Sequence, residues 1–386
     1  MQVATVTSKP LEVSMKVPKK VKGEVVKDKE VTERLKIVGA YPYSEQAQNL
    51  YTNLAVMELI AAYMPQEINA DFPIPKEFRG LIQKMYLWEG EKSPRIRAPR
   101  KELDFSFPKT ERGKVAVAYS AGKDSMWNMW WAREKYGGEN VLGVHIQGLN
   151  KAVAKDELDH ALKQKQELGF ENFKVIELAN SSKLTGHEVM RSRDMCLSAI
   201  IAPVAIQFGA SQMVTEGFGE TKDAYEHFSG VAQNLEYFNG ILEDIGVPLQ
   251  VVWKNRKEMD VVKDLLKNKP DWLTLVNNCF CPKCYKPSNQ RYWREVAPTL
   301  KLYDSQCGSC VKCRITNIAR ILHDPLMQKA TEEDIKIYLT KTIDWIRRKK
   351  DEASDFIEGS FIRDFKRACK KYNVQIPDDI KAIKDK

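Results

Sequence analysis

The sequence predicts an α/β protein, a doubly wound parallel sheet with an N-terminal extension and a cysteine-bearing helical lobe. Three observations lead there. Between residues 111 and 270, short apolar runs alternate with helical segments of about 10–15 residues, the pattern of repeated βα units. Gly169, Gly209 and Gly246 each follow one of those helical segments, where a stop signal belongs. Six of the eight cysteines fall between Cys279 and Cys313, in close pairs. Clustered pairs read as a metal site, whereas a disulfide framework spreads along a small secreted chain.

Residues 1–110 show no βα repeat. Their opening is valine-rich and basic (Lys16, Lys19, Lys20, Lys22, Lys27, Lys29) and reads as a tail or an edge hairpin. Leu50, Leu54, Met57 and Ala61 place a helix over Glu45–Tyr63. Ser93–Arg100, with its two prolines and its arginines, reads as a linker, and the whole zone as an extension suited to docking.

In the core, residues 111–270, strands are expected at Lys114–Tyr119, Val141–Ile146, Phe173–Leu178, Gln212–Thr215 and Leu249–Val252. Helices are expected at Met126–Tyr136, Lys155–Leu168, Asp194–Phe208, Val231–Ile245 and Lys257–Lys267. In such sheets, ligands bind beyond the carboxyl ends of the strands. The third zone, residues 271–386, holds the cysteines. A helix over Val311–Leu322 follows them, and Ile335, Leu339, Ile343 and Ile346 mark a later apolar stripe.

Composition excludes other classes. The longest nearly apolar run, Leu197–Ala210, is too short to span a bilayer, which takes roughly 20 residues. The first thirty residues lack the apolar core of a secretory signal, so a cytoplasmic protein without membrane contact is expected. The net charge is +9. Residues 111–270 carry 20 basic and 22 acidic groups, whereas residues 271–386 carry 23 and 16. A protein or nucleic-acid partner is therefore expected at the basic flanks rather than at the core.

The sharpest motif is Ser120-Ala121-Gly122-Lys123-Asp124-Ser125, between a strand and an apolar helix. Amides at a tight turn and a helix N-terminus bind anions. Hydroxyls of Ser120 and Ser125 add donors, and Lys123 adds charge. The spacing is not that of a Walker A loop. The motif resembles the Ser-Gly-Gly-x-Asp-Ser signature of the PP-loop ATP pyrophosphatases, with Ala121 in place of the second glycine. That resemblance implies an adenine nucleotide alpha-hydrolase type of fold, and ATP with Mg2+ near Asp124.

Further stretches resemble 7-cyano-7-deazaguanine synthase over residues 113–322. Gln147 ends the second strand and Glu157 opens the next helix. Met190-Arg191-Ser192-Arg193-Asp194 precedes an alanine-rich helix. Glu216-Gly217 ends the fourth strand, with Asp223 and Tyr225 behind it. The resemblance implies an ATP-dependent carbon–nitrogen ligase. Lys123, Asp124 and Arg193 are its expected catalytic residues. Ser120, Ala121, Gly122, Ser125, Gln147 and Gly217 are expected to bind nucleotide alongside them. A 7-deazaguanine carboxylate would be adenylated, then attacked by ammonia or a protein amine, in deazaguanine modification or antiphage defence. A homodimer is also implied. His145 reads as a core histidine.

Cys307-Gly-Ser-Cys310-Val-Lys-Cys313 puts three thiolates around one point, and the group Cys279, Cys281 and Cys284 offers the fourth. By resemblance that ligand is Cys279, with Cys284 the close alternative, and the metal is a structural Zn2+ rather than an iron–sulfur cluster. Two other functions fit less of the sequence. One is a PP-loop sulfurtransferase or phosphorothioation enzyme acting on nucleic acid, and the other is a zinc-containing adaptor without turnover.

Overall fold

The computed structural model describes residues 3–21, 24–39, 43–61, 63–110, 113–148, 154–180, 192–217, 228–255, 258–277, 279, 281, 285–349, 357 and 359–384. It is α/β, with a mostly parallel sheet of ten strands among the described residues. The chain divides into two compact units. The first holds residues 1–120, 128–158 and 170–255, and the second holds residues 121–127, 159–169 and 256–386.

The first unit contains the sheet. Its parallel part comprises β6 (Val115–Ala118), β7 (Val141–Gln147), β8 (Asn172–Asn180), β9 (Gln212–Gly217) and β10 (Gln250–Asn255), in the order β10-β9-β6-β7-β8. The strands step outward from β6 in one direction, then restart beside it with β9. The β6–β9 boundary is therefore the topological switch point, beyond whose carboxyl ends such sheets bind ligands. β6 aligns Ala118 with Val144 on one side and Val117 with Val214 on the other. Six successive residues of β7, Val141–Ile146, are buried, as a strand covered on both faces requires. Gly143 lets a helix approach: a Cβ there would lie 2.7 Å from the Met129 side chain and 2.7 Å from Phe173.

The N-terminal residues are neither a tail nor a separate hairpin. β1 (Val3–Lys9), β2 (Glu12–Val21) and β3 (Glu24–Val38) form an antiparallel meander, and β3 pairs antiparallel with β8, Ile37 opposite Leu178. β4 (Glu67–Ala70) adds parallel to β1. The expected linker carries β5 (Arg95–Arg97), parallel to β4. Alternation explains the meander: Ala4, Val6, Val13, Met15, Val17, Leu35 and Ile37 are buried at every second position. They share one core with Leu50, Leu54 and Met57 of α1 (Glu45–Ala61) and with Cys196, Ile200 and Ile201 of α5 (Arg193–Phe208). The extension thus belongs to the unit that holds the sheet, and the boundary expected at residue 110 does not separate two compact bodies.

The remaining expected helices form with shifts of a few residues at their ends. After α2 (Lys76–Trp88), which was not expected, they are α3 (Lys123–Tyr136), α4 (Ala154–Glu167), α6 (Ala232–Asp244) and α7 (Glu258–Asn268). In the second unit come α8 (Pro270–Thr274), α9 (Lys286–Val296), α10 (Val311–His323), α11 (Glu332–Lys349), α12 (Ser360–Lys371) and α13 (Asp378–Lys381). Helix α10 packs on α7 and α12, which gives the second unit a core of its own. No described helix is long and apolar enough to cross a membrane.

Candidate nucleotide loop and metal centre

The loop expected to hold phosphate leaves β6 at the switch point and ends where α3 begins at Lys123. Ala121 has φ +62°, in the left-handed region that an L side chain occupies at a cost of about 1–2 kcal/mol. A glycine would adopt this conformation without that cost. Alanine is tolerated because its methyl is small, and the residue is fully buried.

Two side chains outside the motif fix the loop's carbonyls. His145, almost fully buried on β7, sets its Nδ1 2.9 Å from the Tyr119 carbonyl oxygen. Burial lowers the imidazole below its usual range, so the neutral ring donates from Nδ1 to that carbonyl. Gln164 of α4 is fully buried and donates its Nε2 to the carbonyls of Ala121 (3.1 Å) and Leu275 (2.7 Å). The Asn277 amide also donates to the Ala121 oxygen, at 3.0 Å. In a trans peptide the C=O and the following N–H point oppositely. Holding the Tyr119 and Ala121 oxygens inward therefore aims the Ser120 and Gly122 amides the other way. These are the donors an anion loop uses.

The motif's side chains are engaged as well. Lys123 is fully buried, with its Nζ 2.6 Å from Asp124 Oδ2 and 3.5 Å from Glu258 Oε2. This one ammonium bridges two carboxylates and fixes Asp124. Ser125 donates its hydroxyl to the Gly122 carbonyl at 3.1 Å, closing the first turn of α3. Trp127 donates its indole N–H to Asp264 of α7 at 3.2 Å. Sequence reasoning passed over Gln164, Glu258 and Asn277, since none is in the motif. Gln164 follows Ala161 by three residues on the buried side of α4, and its residue type alone does not set it apart.

Gln147 ends β7 opposite Glu177, and Gly217 ends β9 opposite Asn255. Both therefore lie at the carboxyl edge of the sheet, on the strands that flank β6. Gly148 has φ +97°, and a Cβ there would lie 2.2 Å from the Leu178 carbonyl oxygen, so glycine is required just after Gln147.

Arg193 opens α5 and leans on Asp194, with Nη2 3.3 Å and Nε 3.4 Å from Oδ1. Asp194 is buried, and the Ser229 hydroxyl lies 3.4 Å from its Oδ2. Ser192 donates to Glu58 Oε2 at 2.7 Å. Burial pushes the Glu58 carboxyl up to about 8, while the Ser192 hydrogen bond opposes the shift. Helix α1 of the N-terminal zone thus supplies an acid directly beneath Ser192-Arg193, which sequence reasoning did not foresee. Met190, Arg191, Asp223, Tyr225 and Cys284 lie outside the described residues.

In the second unit, Cys279, Cys307, Cys310 and Cys313 bring their sulfurs within 4.8 Å of one another. Cys307 and Cys313 are 3.9 Å apart, and Cys310 and Cys279 are 4.0 Å apart. Four thiolates around one tetrahedral ion at about 2.3 Å would stand about 3.8 Å apart. The set therefore fits a single ion, and it could hold a metal such as zinc. A multi-iron cluster interposes iron and sulfide atoms and spreads its thiolates further.

Backbone amides of Ser309 and Cys310 point at the Cys307 sulfur, at 3.4 and 3.3 Å. Hydrogen bonds from neighbouring thiols, Cys279 first, pull Cys307 down to about 6 and Cys310 lower still. Cys279 and Cys313 are pushed the other way, the first by its hydrogen bonds to Cys307 and Cys310 and the second by burial, so protons are shared unevenly over the set. Cys281 is a fifth, partly buried thiol packed against the four.

The cysteine turn is braced on several sides. Gly308 has φ +73°, and a Cβ there would lie 2.7 Å from both Leu302 and Trp293. Tyr338 donates its hydroxyl to the Gly308 carbonyl at 3.1 Å, and Trp293 donates to the Ser309 hydroxyl at 3.0 Å. Buried Arg314 donates to the Ser309 carbonyl at 2.9 Å and to Thr342 at 2.6 Å.

No family model matches the chain, and no curated protein matches its sequence.

Proposed function

We propose that the protein is an ATP-dependent ligase that adenylates the carboxylate of a 7-deazaguanine, for attack by ammonia or another amine. One observation carries this reading: a Ser-x-Gly-Lys-Asp-Ser loop at the switch point of a parallel sheet, with its carbonyls tied back by His145 and Gln164. That arrangement suits a pyrophosphate better than a buried metal or an acyl group, because its donors are oriented amides at a helix N-terminus. The substrate carboxylate attacks the α-phosphorus, an acyl-adenylate forms, and pyrophosphate leaves on the loop. The amine then displaces AMP, giving an amide, and a second activation would dehydrate the amide to a nitrile.

Asp124, steadied by Lys123, is the carboxylate that would hold Mg2+, whose role is to offset phosphate charge. Gln147, Gly217 and Arg193 are the further residues that this reading assigns to nucleotide and substrate. Electrostatic stabilisation and positioning suffice for phosphoryl and nucleotidyl transfer, so no protein nucleophile is needed. Zinc in the four-cysteine set is structural, since four thiolates leave no open position.

The test is exchange of labelled pyrophosphate into ATP. It should require 7-carboxy-7-deazaguanine, and exchange that ignores the carboxylate would remove this reading. The fifth thiol, Cys281, is the observation that favours a sulfur-transfer enzyme instead. Loss of turnover in Cys281→Ser, with metal content unchanged, would support that alternative.

A further inference from the structure

The second unit has a surface that the ligase reading does not use. Helix α12 buries Phe361, Ile362, Phe365, Ala368 and Cys369. Its opposite face presents Arg363, Arg367, Lys370 and Lys371, at i, i+4, i+7 and i+8. Lys366, on the same face, donates to the carbonyls of Lys381 and Ile383.

Beneath this face lies Asp364, whose side chain is fully buried. Its Oδ2 is 2.6 Å from Lys263 of α7, and its Oδ1 is 3.1 Å from Arg367 and 3.6 Å from Arg363. One buried carboxylate therefore holds three cations in a fixed array. Asp260 also reaches Lys263, at 3.5 Å. Lys263, Arg363, Arg367, Lys370 and Lys371 thus outnumber the two carboxylates that touch them. Arg363 and Arg367 remain 42 % and 58 % exposed. Burial, and then the charges of Lys263, Arg367 and Lys371, hold His323 at the end of α10 below its usual range, as a positive local field would.

We infer that this face of α12, with Lys263, docks the phosphate backbone of a nucleic acid. Eight residues of helix span about 12 Å, the axial rise of three to four nucleotides in a duplex strand. Guanidinium forks suit phosphate oxygens, and cations already held in place lose little freedom on binding. A membrane fits less well, since an interfacial helix needs an apolar face to insert and α12 has spent its own on the core.

The test uses the full chain and fluorescein-labelled duplexes of 20 nucleotides, DNA and RNA in separate arms, titrated from about 50 to 200 mM salt. Lys370→Glu/Lys371→Glu should weaken binding at least tenfold and flatten the log–log salt slope by about 1.5, at 0.7–0.9 per lost phosphate contact. Lys92→Glu/Lys101→Glu makes the same change in net charge at exposed sites in the first unit and should change affinity less than twofold. Circular dichroism checks that both variants are folded. The inference is overturned if the wild type does not bind at about 50 mM salt, if both variants lose affinity equally, or if phosphatidylserine vesicles bind more tightly than either duplex. It stands apart from the ligase reading, which these titrations do not touch.

Discussion

Replacing Gln164 by leucine tests the claim that the loop is aimed from behind. The substitution keeps volume close to native, so packing changes little. It removes both donations, at 3.1 Å to Ala121 and 2.7 Å to Leu275. The Ala121 oxygen keeps the Asn277 amide, so its loss is one net hydrogen bond, about 1 kcal/mol. The Leu275 oxygen loses its Gln164 donor, at a cost of about 1–3 kcal/mol if the carbonyl stays buried. The sum is about 2–4 kcal/mol, or about 4–16 °C in the unfolding midpoint of a unit this size.

Pyrophosphate affinity should fall separately, by about fivefold or more, since the Gly122 amide is no longer held by two donors. Gln164→Glu should be worse, because a carboxylate faces two carbonyl oxygens. The assays are calorimetric titration with pyrophosphate and chemical denaturation. A Gln164→Leu protein with wild-type pyrophosphate affinity would refute the aiming argument even if it were destabilised.

Other outcomes follow from the same geometry. At φ +62°, Ala121→Val should lose more than about 2 kcal/mol, while Ala121→Gly should stay within about 1 kcal/mol of wild type; denaturation curves separate the two. Gly308→Ala should cost metal and fold together, since the new methyl meets Trp293 and Leu302; metal content and circular dichroism would show both. Chelation should release about one zinc per chain and unfold the second unit, leaving a colourless protein throughout, whereas absorbance near 400 nm would indicate iron–sulfur. Glu58 supplies a pH test. Its carboxyl titrates near 8 when folded and near 4.3 when unfolded, so the folded state binds the proton more tightly. Stability should therefore be fullest below about pH 4.3 with respect to this group, and should decline as pH rises towards 8. The decline is up to about 5 kcal/mol from a shift of this size, and Glu58→Gln should flatten it.

The parallel strands, their helices and the cysteine turn were readable because each rests on local pattern. β6 is a four-residue apolar run, α3 follows a glycine turn, and three of the four clustered cysteines lie within seven residues. The meander was not readable as part of the sheet. Its partner β8 is more than 130 residues away, and nothing local in Leu35–Val38 specifies that pairing. The short strand at Arg95–Arg97 was hidden by the prolines and charges around it. At the loop, the motif residues were visible, but what holds them was not. Gln164, Asn277 and Glu258 reach it from separate segments, and Lys123, expected to face phosphate, is drawn to Asp124 and Glu258. Pairwise geometry of that kind has no sequence period to betray it.

AMP release reports the proposed nucleotidyl transfer to a deazapurine carboxylate. With ATP, Mg2+, 7-carboxy-7-deazaguanine and ammonia, AMP and pyrophosphate should form in equal amounts, dependent on the carboxylate and abolished in Asp124→Asn. Release of neither AMP nor ADP in response to the carboxylate, or of ADP alone, would contradict that transfer.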